Sequence, residues 1–453
     1  MGERLVVIGM DAAGASAASQ ARRLRDEDSL EILAFERSPH TSYSACGIPY
    51  WIGGVVENQD ALIARGPDAH RRRGIDVRTG HEVVGIDLDA RSVTVRGPGA
   101  AEERHGFDQL VVATGATPVA PRWPGADARG VHGVQTLADG EAVHRTLDRG
   151  ARRAVVVGGG YIGVEMAEAM VQRGLKVVLV EQGEQPMNTL DPDMGALVRD
   201  AMCGLGIEVR TGVSVTGFEA GEDGWVRAVA TDDGEVPADV VLLGLGARPN
   251  SALAADAGIR LGPSGGIVTD KRMRVPGVAG VWAAGDCVEV THRVTGRSVA
   301  IALGTHANKQ GRVAGVNIGG GYATFPGVVG TAMSKVCALE IARTGLRERD
   351  AEEAGFAFVT ATITSDARAG YYPGAERMTV KLLAERGTGR LLGGQIVGRE
   401  GSAKRIDTLA VALWNEMTVD EITGLDLGYA PPFSPVWDPV LVAARKAASA
   451  VHA

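Results

Sequence analysis

One cysteine in this sequence has the neighbours of a reactive thiol. Cys46 lies in the stretch TSYSACGIPYWIGG, residues 41–54, between small polar residues and a Gly-Ile-Pro-Tyr run. A thiolate is the nucleophilic form of cysteine, and the pKa of a thiol falls near the amino terminus of a helix. The residues after Cys46 are compatible with a helix start, because Pro49 is tolerated in a first turn. The local sequence leaves three interpretations of Cys46: a core residue, half of a local disulfide, or a working thiolate.

The remaining cysteines indicate neither a disulfide framework nor a metal site. They lie at positions 203, 287 and 337, in apolar or strand-like surroundings, and are predicted to be structural. The sequence has no C-x-x-C motif, and no cysteine–histidine cluster has zinc spacing. The first residues, MGERLVVIGM, contain no apolar leader segment. We therefore expect no metal, reduced thiols and a cytoplasmic location.

The elements that must position Cys46 begin with a glycine-rich turn near the amino terminus. An apolar run at residues 4–9 leads into GMDAAGASAASQARRL, a small-residue turn followed by a helical pattern, and the next strand-like run ends at Glu36. In such a unit the glycines let the backbone approach a pyrophosphate, the helix amino terminus binds it, and the acid accepts hydrogen bonds from ribose hydroxyls. The unit predicts a dinucleotide site, although Asp11 replaces the middle glycine of the fingerprint.

A second glycine turn matches the fingerprint completely. Gly158, Gly160 and Gly163 follow a short apolar strand, a helical pattern comes next, and Glu181 ends the following strand. Strand, spacing and acid all indicate a second dinucleotide site. Two such units in one chain predict two different cofactors, one bound tightly and one exchanging.

The order of the remaining segments predicts the architecture. The strands in 107–118 and 280–290 end in Thr-Gly and Gly-Asp, and segment 242–250 is the expected return point to the first nucleotide domain. β-Branched runs and helical periods after about residue 326 predict an α+β region. The predicted fold class is α/β, with two Rossmann-like dinucleotide-binding domains and a carboxy-terminal α+β domain. The predicted domains are residues 1–112 with 250–325, residues 113–249, and residues 326–453.

Composition argues against two classes of partner. The 453 residues include 47 Lys+Arg and 55 Asp+Glu, which gives a formal net charge of −8, whereas nucleic-acid binding needs a basic surface. No run of about 18 apolar residues is present, so we expect no membrane span. The expected partners are therefore small molecules, with no nucleic acid and no membrane.

The motifs together resemble the FAD-dependent pyridine nucleotide-disulfide oxidoreductases. Within that family the chain is similar to the single-cysteine branch, which contains coenzyme A-disulfide reductases, NADH oxidases and persulfide reductases. The resemblance covers nearly the whole chain and rests on the first glycine turn, Glu36 and the motifs SACGIPY, ATGATP, GGGYIGVEMAE, GARPN, AAGD, RAGYYPGA and LDLGYAPPFSPVWDP. It implies a glutathione reductase-like fold, with FAD on the first nucleotide domain, NAD(P)H on the second, and a third domain that forms a homodimer.

The resemblance also implies which residues bind the cofactors. For FAD these are Gly9, Ala12, Ala13, Gly14, Glu36, Arg37, Thr114, Gly115, Gly285 and Asp286. For NADH or NADPH they are Gly158, Gly160, Tyr161, Ile162, Gly163, Glu165 and Glu181. Tyr161 would cover the flavin ring and move away when NAD(P)H arrives. Glu181 favours NADH, because no arginine follows closely to bind a 2′-phosphate.

The implied catalysis runs through Cys46. A hydride would pass from NAD(P)H through FAD to Cys46, which would reduce a small disulfide or persulfide, with coenzyme A disulfide or a coenzyme A persulfide or polysulfide as the substrate. Coenzyme A would then be a substrate or an adduct on Cys46. Tyr371 and Tyr429 would reach the partner subunit's Cys46 and protonate the leaving thiolate. The substrate contacts implied by the same resemblance are Gln20, Arg23, Ser42 and Ala45, the last replacing a common asparagine.

Two positions depart from the patterns of related proteins and limit the functions that the resemblance allows. Dithiol members carry a second cysteine where this chain has Trp51, so Cys46 has no local disulfide partner. Water-forming oxidases carry a histidine where this chain has Ala12, which counts against an NAD(P)H oxidase. That oxidase and an electron-transfer reductase serving a protein partner remain the alternatives. The basic run from His70 to Arg73 is predicted to be a solvated helix end.

Overall fold

The computed structural model describes residues 2–453. In this part of the chain the strands are β1 Glu3–Ile8, β2 Leu30–Glu36, β3 Asp76–Thr79, β4 Glu82–Asp87, β5 Ser92–Arg96, β6 Glu102–Gly106, β7 Gln109–Val112, β8 Ala116–Pro118, β9 Val131–Gly133, β10 Arg153–Val157, β11 Lys176–Glu181, β12 Glu208–Thr211, β13 Val215–Ala220, β14 Val226–Thr231, β15 Gly234–Pro237, β16 Val240–Leu243, β17 Ala247–Pro249, β18 Val281–Ala283, β19 Val290–Thr291, β20 Ser298–Val299, β21 Ala332–Val336, β22 Leu339–Gly345, β23 Phe358–Asp366, β24 Arg377–Glu385 and β25 Leu391–Gly398.

The α-helices alternate with strands in the first two thirds of the chain and cluster after the strands towards the end. They are α1 Ala12–Leu24, α2 Ile48–Gly53, α3 Pro67–Arg71, α4 Leu137–Asp148, α5 Tyr161–Gln172, α6 Pro192–Gly204, α7 Ala252–Asp256, α8 Gly304–Ile318, α9 Glu348–Ala354, α10 Ile406–Trp414, α11 Val419–Thr423 and α12 Pro439–His452. Short 3-10 helices form at Ala45–Gly47, Gln59–Leu62 and Ala403–Arg405.

One compact unit comprises the chain up to Ile48 together with Glu57–Val119 and Ala247–Val328. Its main sheet has the order β18-β7-β1-β2-β3, and all neighbouring strands are parallel. The last four residues of strand β1 form a continuous apolar run and are all buried, as expected for a central strand of a parallel sheet. An antiparallel sheet, β4-β5-β6, belongs to the same unit.

Close backbone contacts fix the helices of this unit on the sheet. A Cβ on Gly14 would collide with the carbonyl oxygen of Gly9, so helix α1 follows the glycine turn only because that position is glycine. Helix α8 packs against α1, and a Cβ on Gly311 would collide with the carbonyl oxygen of Ala13. The start of α1 is therefore held from two sides.

The second compact unit comprises Pro49–Val56, Ala120–Gly246 and Val329–Ala453. It contains the parallel sheet β12-β11-β10-β16-β9 and the antiparallel sheet β13-β14-β15. Its third sheet, β21-β22-β25-β24-β23, is antiparallel throughout. Every residue of β25 is buried, because helices α10 and α12 pack on this sheet.

The predicted fold class is confirmed. Two parallel five-stranded sheets each carry a glycine turn followed by a helix, and an antiparallel sheet with helices follows them along the chain. No helix within residues 2–453 is both long enough and apolar enough to cross a bilayer.

Candidate functional site

Cys46 lies in the 3-10 turn Ala45–Gly47, immediately before helix α2. The helix predicted after the cysteine is therefore present, with Pro49 near its start. The side chain is exposed and forms no disulfide with the other three cysteines. Trp51 on α2 is buried and packs against the ring of His144, with 4.7 Å between ring centroids. Position 51 thus serves the packing of helix α2 and supplies no second sulfur.

The backbone before Cys46 is tied to the first glycine turn. Ser42 has a φ of 46°, which is unfavourable for a residue with a side chain. Its N–H donates to the carbonyl oxygen of Met10 at 3.2 Å, and the N–H of Tyr43 donates to Oδ1 of Asp11 at 3.2 Å. These contacts place Ser42, a predicted substrate residue, beside the nucleotide turn in the same unit.

The prediction of a solvated helix end at residues 70–73 is wrong for its first residue. His70 is fully buried, and its Nε2 lies 3.1 Å from Oγ of Ser42. Burial lowers the pKa of His70 to about 4, with further lowering by Arg65 and Arg73. The ring is therefore neutral at pH 7 and supports the Ser42 side chain. Sequence alone gave no sign of this, because the contact joins residues 28 positions apart.

Three arginines of the first unit converge near Ser42, and we call them the arginine cluster: Arg23, Arg65 and Arg73. The Arg65 guanidinium lies 3.4 Å from Oγ of Ser19, and the Arg23 guanidinium lies 3.4 Å from Oε1 of Gln20. Burial lowers the pKa of Arg65, and the neighbouring charges of Arg73 and Arg23 lower it further. Over residues 2–453 none of the three forms an ion pair with an acid, so the cluster is a positive surface available to an anion.

The residues predicted to bind FAD lie at the carboxyl ends of parallel strands β1, β7 and β18 and beside helix α8. Ala13 packs with Ala284 and Ala307, and a Cβ on Gly285 would press on the Ala13 methyl group. The next residue, Asp286, has a buried Oδ1 without a hydrogen-bond partner, and burial raises the pKa of its carboxyl group. An orphaned carboxyl oxygen beside two glycine turns fits a ligand that brings hydroxyl groups.

Glu36 and Thr114 complete this group of predicted residues. The Glu36 carboxylate accepts the N–H groups of Met10 and Ser38, both at 2.9 Å, while the following Arg37 is exposed. The Thr114 hydroxyl donates to the carbonyl oxygen of Asn250 at 2.5 Å. The turn containing Gly115 also accepts the N–H of Asn250, at 2.9 Å. These contacts fix the glycine-containing backbone on which the predicted site depends.

The second glycine turn repeats the first arrangement. The Glu181 carboxylate accepts the N–H groups of Gly159 and Gly183, both at 2.6 Å. A Cβ on Gly163 would collide with the carbonyl oxygen of Gly158, while Gly160 is the residue that precedes helix α5. The acid and the glycine turn are therefore joined directly, as they are at Glu36.

Helix α5 carries three further predicted residues at its start. The Tyr161 hydroxyl is buried, and burial raises the pKa of the phenol, whereas Ile162 is partly exposed. One turn later, Oε1 of Glu165 accepts the hydroxyl of Ser334 at 2.9 Å, and burial raises the Glu165 pKa. Ser334 lies on β21, far along the chain, and the sequence did not single it out.

Tyr371 and Tyr429 come together although 58 positions separate them in the sequence. Both side chains are exposed. The Tyr371 hydroxyl donates a hydrogen bond to the neighbouring Tyr429, which raises the pKa of Tyr371. The two phenols therefore form a surface pair that could hold and pass a proton.

Comparison with known proteins identifies the family. A model described as "Pyridine nucleotide-disulphide oxidoreductase" matches residues 3–311, and the dimerisation-domain model of the same family matches residues 331–439. The chain belongs to the pyridine nucleotide-disulphide oxidoreductase family. The predicted family is confirmed, and so is the prediction of an oxidoreductase; members of this family use FAD and NAD(P)H.

Similar proteins and solved structures align with almost the entire chain. An NAD(P)H coenzyme A polysulfide/persulfide reductase of Pyrococcus horikoshii is 38% identical over 98% of both chains. An NADH oxidase of Methanocaldococcus jannaschii is 35% identical, again over 98% of both. The solved structure of an NAD-dependent persulfide reductase from A. fulgidus is 38% identical, with a TM-score of 0.95, over 99% of this chain and 83% of that one. These likenesses agree with the predicted single-cysteine branch.

Proposed function

We propose that this protein is an NAD(P)H-dependent reductase of small disulfides and persulfides, with Cys46 as the redox thiol and coenzyme A as the thiol carrier. The observation that carries the proposal is an exposed Cys46 whose preceding segment is bound to the first glycine turn at Tyr43 and to Arg65 of the arginine cluster at Ser42. The names of the persulfide reductase relatives support the same chemistry.

The residues around the first glycine turn fit FAD, which supplies two-electron transfer between NAD(P)H and sulfur when it is bound. Gly9, Gly14 and Gly285 keep the turn free of side chains, and the orphaned Oδ1 of Asp286 fits a polyol hydroxyl. Glu36 already accepts two backbone donors, and a carboxylate has about four lone-pair sites, so it retains capacity for ribose hydroxyls. We assign residues 1–112 with 250–325 to FAD, 113–249 to NAD(P)H and 326–453 to dimerisation.

The sulfur chemistry needs one thiolate on the protein. The Cys46 thiolate attacks a disulfide RSSR, which forms a Cys46–S–S–R bond and expels RS⁻. Two electrons from NAD(P)H then cleave that bond and release the second thiol. The sum is RSSR + NAD(P)H + H⁺ giving 2 RSH + NAD(P)⁺; a persulfide RSSH gives RSH and H₂S instead. Trp51 in place of a second cysteine means that the substrate must bring the partner sulfur.

Coenzyme A fits because it combines a thiol with phosphate groups. Arg23 and Arg65 are positive groups that acidic side chains do not neutralise, and Arg73 adds a third. Guanidinium groups bind phosphates by charge-assisted hydrogen bonds. Gln20 and Ser42 lie next to this cluster in the same unit, which supports their proposed role as substrate contacts.

The proposed proton donors are the tyrosine pair Tyr371 and Tyr429. Each expelled thiolate needs a proton, and two exposed, hydrogen-bonded phenols can supply it. We propose that they do so for the partner subunit's Cys46 in a homodimer. The match of residues 331–439 to a dimerisation domain supports that assembly.

The second candidate function is an NAD(P)H oxidase. The NADH oxidase relative favours it, and a lone cysteine can cycle through a sulfenic acid instead of a mixed disulfide. Ala12, where oxidases of the resembled type carry histidine, argues against it.

Measurements with and without oxygen separate the two functions. NADH and NADPH consumption is followed anaerobically with coenzyme A disulfide, with polysulfide and without acceptor, and then repeated in air. A reductase turns over rapidly only with the sulfur acceptors, and the untreated protein carries a coenzyme A-sized mass on Cys46. Fast turnover that requires oxygen alone would establish the oxidase and overturn the reductase.

A further inference from the structure

Asp11 occupies a position where the dinucleotide fingerprint has a glycine, and its side chain contacts the segment that precedes Cys46. Its Oδ1 accepts the N–H of Tyr43 at 3.2 Å, next to the bond between Ser42 N–H and the Met10 carbonyl oxygen at 3.2 Å. The glycine turn therefore holds two consecutive residues of the segment that leads into Cys46. One bond uses the backbone of the turn, which any residue supplies, and the other needs the Asp11 carboxylate.

The segment that Asp11 holds is under backbone strain. Ser42 has a φ of 46°, and its carbonyl oxygen accepts the N–H groups of Ala64 at 2.9 Å and Arg65 at 3.3 Å. Its Oγ contacts Nε2 of His70 at 3.1 Å. A conformation of this kind persists only when surrounding contacts fix it. The Asp11 contact to Tyr43 fixes the next residue towards Cys46.

A carboxylate at position 11 is costly for the nucleotide turn itself. Burial raises the pKa of Asp11 to about 6; the N–H groups of Tyr43 and Ala12 lower it, and the charges of Glu36 and Asp286 raise it again. An ionised Asp11 therefore faces two other acids at neutral pH. Glycine would remove that cost and complete the fingerprint, and the Asp11 side-chain contact that reaches beyond the turn is the one to Tyr43, in the segment before Cys46.

We propose that Asp11 is a positioning residue for the redox thiol, because its carboxylate fixes the Tyr43 backbone and hence the turn that carries Cys46. The proposal rests on the proposed function of Cys46. It explains why this chain departs from the glycine fingerprint at one position and keeps Gly9 and Gly14.

The variant Asp11→Gly separates flavin binding from thiol positioning, since it restores the fingerprint and removes the acceptor. In the D11G holoenzyme we expect normal flavin content and an unchanged rate of flavin bleaching by NADH. The kcat for coenzyme A disulfide should fall about 10-fold or more, because small misplacements of reacting groups are costly. Asp11→Asn keeps one oxygen acceptor and should restore part of the rate, and the exposed Asp89→Asn serves as a matched control.

Amide hydrogen exchange supplies a readout that does not depend on turnover. Deuterium uptake at Tyr43 in the holoenzyme should be about 10-fold faster in D11G than in the wild type, because the N–H loses its acceptor. Unchanged exchange at Tyr43, or faster exchange with unchanged disulfide turnover, would overturn the proposal. If D11G does not retain flavin, the same two readouts in Asp11→Ala, which also removes the acceptor, decide. Disulfide turnover by Cys46→Ser would instead overturn the proposed function. The two failures are distinguishable, because amide exchange at Tyr43 in D11G reports on the position of the segment and not on the role of Cys46.

Discussion

Glu36 and Glu181 show how single residues define the two nucleotide turns. Each carboxylate ends a parallel strand and accepts two backbone N–H groups, one from the glycine turn and one from the residues that follow the strand. The contacts at Glu181 are shorter, at 2.6 Å each, than those at Glu36, at 2.9 Å each. Loss of either charge should therefore disturb both the turn and the ribose that it is proposed to bind.

The variant Glu181→Gln should weaken the use of NADH more than that of NADPH. The glutamine amide has no charge, and its NH₂ group would face a backbone N–H, which is also a donor. Charge-assisted hydrogen bonds contribute about 1.5–3 kcal/mol, which corresponds to a loss of roughly 10–100-fold in kcat/KM. Steady-state kinetics with both nucleotides measures the change, and the exposed neighbour Glu184→Gln is the control. An unchanged NADH/NADPH preference would contradict a ribose role for Glu181.

A buried lysine stabilises the second unit. Lys381 on β24 is nearly inaccessible and forms ion pairs with Asp191 at 3.1 Å, Asp193 at 2.7 Å and Glu348 at 2.8 Å. Burial alone would lower the Lys381 pKa, but these three acids raise it on balance. The lysine stays charged and neutralises the buried Asp191 together with two more exposed acids, Asp193 and Glu348.

The variant Lys381→Met should destabilise the protein by about 3–5 kcal/mol, because it leaves the buried Asp191 carboxylate without its counter-charge. Urea unfolding of the holoenzyme followed by circular dichroism measures the loss. Lys404→Met is the control, since the Lys404–Asp407 pair is exposed and should contribute less than about 1 kcal/mol. Equal stability of the two variants would show that the ion pairs of Lys381 contribute nothing to the stability of the protein.

At the scale of elements, the close contact of helices α1 and α8 holds the first nucleotide turn in place. Gly311 faces the carbonyl oxygen of Ala13, and Gly315 faces that of Ala17. A Cβ on Gly304, at the start of the same helix, would have no neighbouring atom within 4 Å. Gly311 and Gly315 therefore leave no room for a methyl group, whereas Gly304 of the same helix does.

The variant Gly311→Ala should lower stability by about 1–3 kcal/mol through overpacking and reduce bound flavin, because it pushes α8 away from the turn. Gly304→Ala should be neutral or slightly stabilising, since alanine favours a helix. Thermal unfolding and the ratio of flavin to protein absorbance measure both effects. A stable, flavin-replete G311A would contradict the close packing.

Strands and helices that are determined by residues within one short segment were predictable from the sequence. Contacts between elements far apart in the chain were not. Apolar runs followed by glycine turns predicted β1, β10 and the helices after them, because strand and turn lie in one short segment. The bond between Ser334 and Glu165 joins residues far apart in the chain, and no pattern indicates which side chain of β21 meets α5. His70 was mistaken for a solvent-facing residue because its contact with Ser42 joins residues 28 positions apart, and no local pattern indicates it.

At the scale of the whole molecule, the surface retains an apolar face on helix α10. Val411 is 60% exposed, and Trp414, one turn later, is 39% exposed. Both belong to the region matched by the dimerisation domain of the family. Exposed apolar side chains in such a region indicate a subunit interface.

The variant Val411→Glu should therefore weaken the homodimer. A buried, unpaired charge at an interface costs several kcal/mol, so the dimer dissociation constant should rise about 100-fold or more. Sedimentation equilibrium measures this constant, and Leu205→Glu, an apolar-to-acidic change outside the dimerisation region, is the control. An unaltered dimer in V411E would place the interface elsewhere on the surface.

The proposed function depends on one sulfur atom, and a pair of cysteine variants tests it. Anaerobic reduction of coenzyme A disulfide by NADH is compared in the wild type, Cys46→Ser and Cys203→Ser; both cysteines are exposed and neither forms a disulfide. We expect C46S to bind flavin normally and to lose about 1,000-fold or more in disulfide turnover, because a missing nucleophile is not replaced by its neighbours. C203S should match the wild type. Disulfide turnover by C46S at the wild-type rate would contradict the role of Cys46.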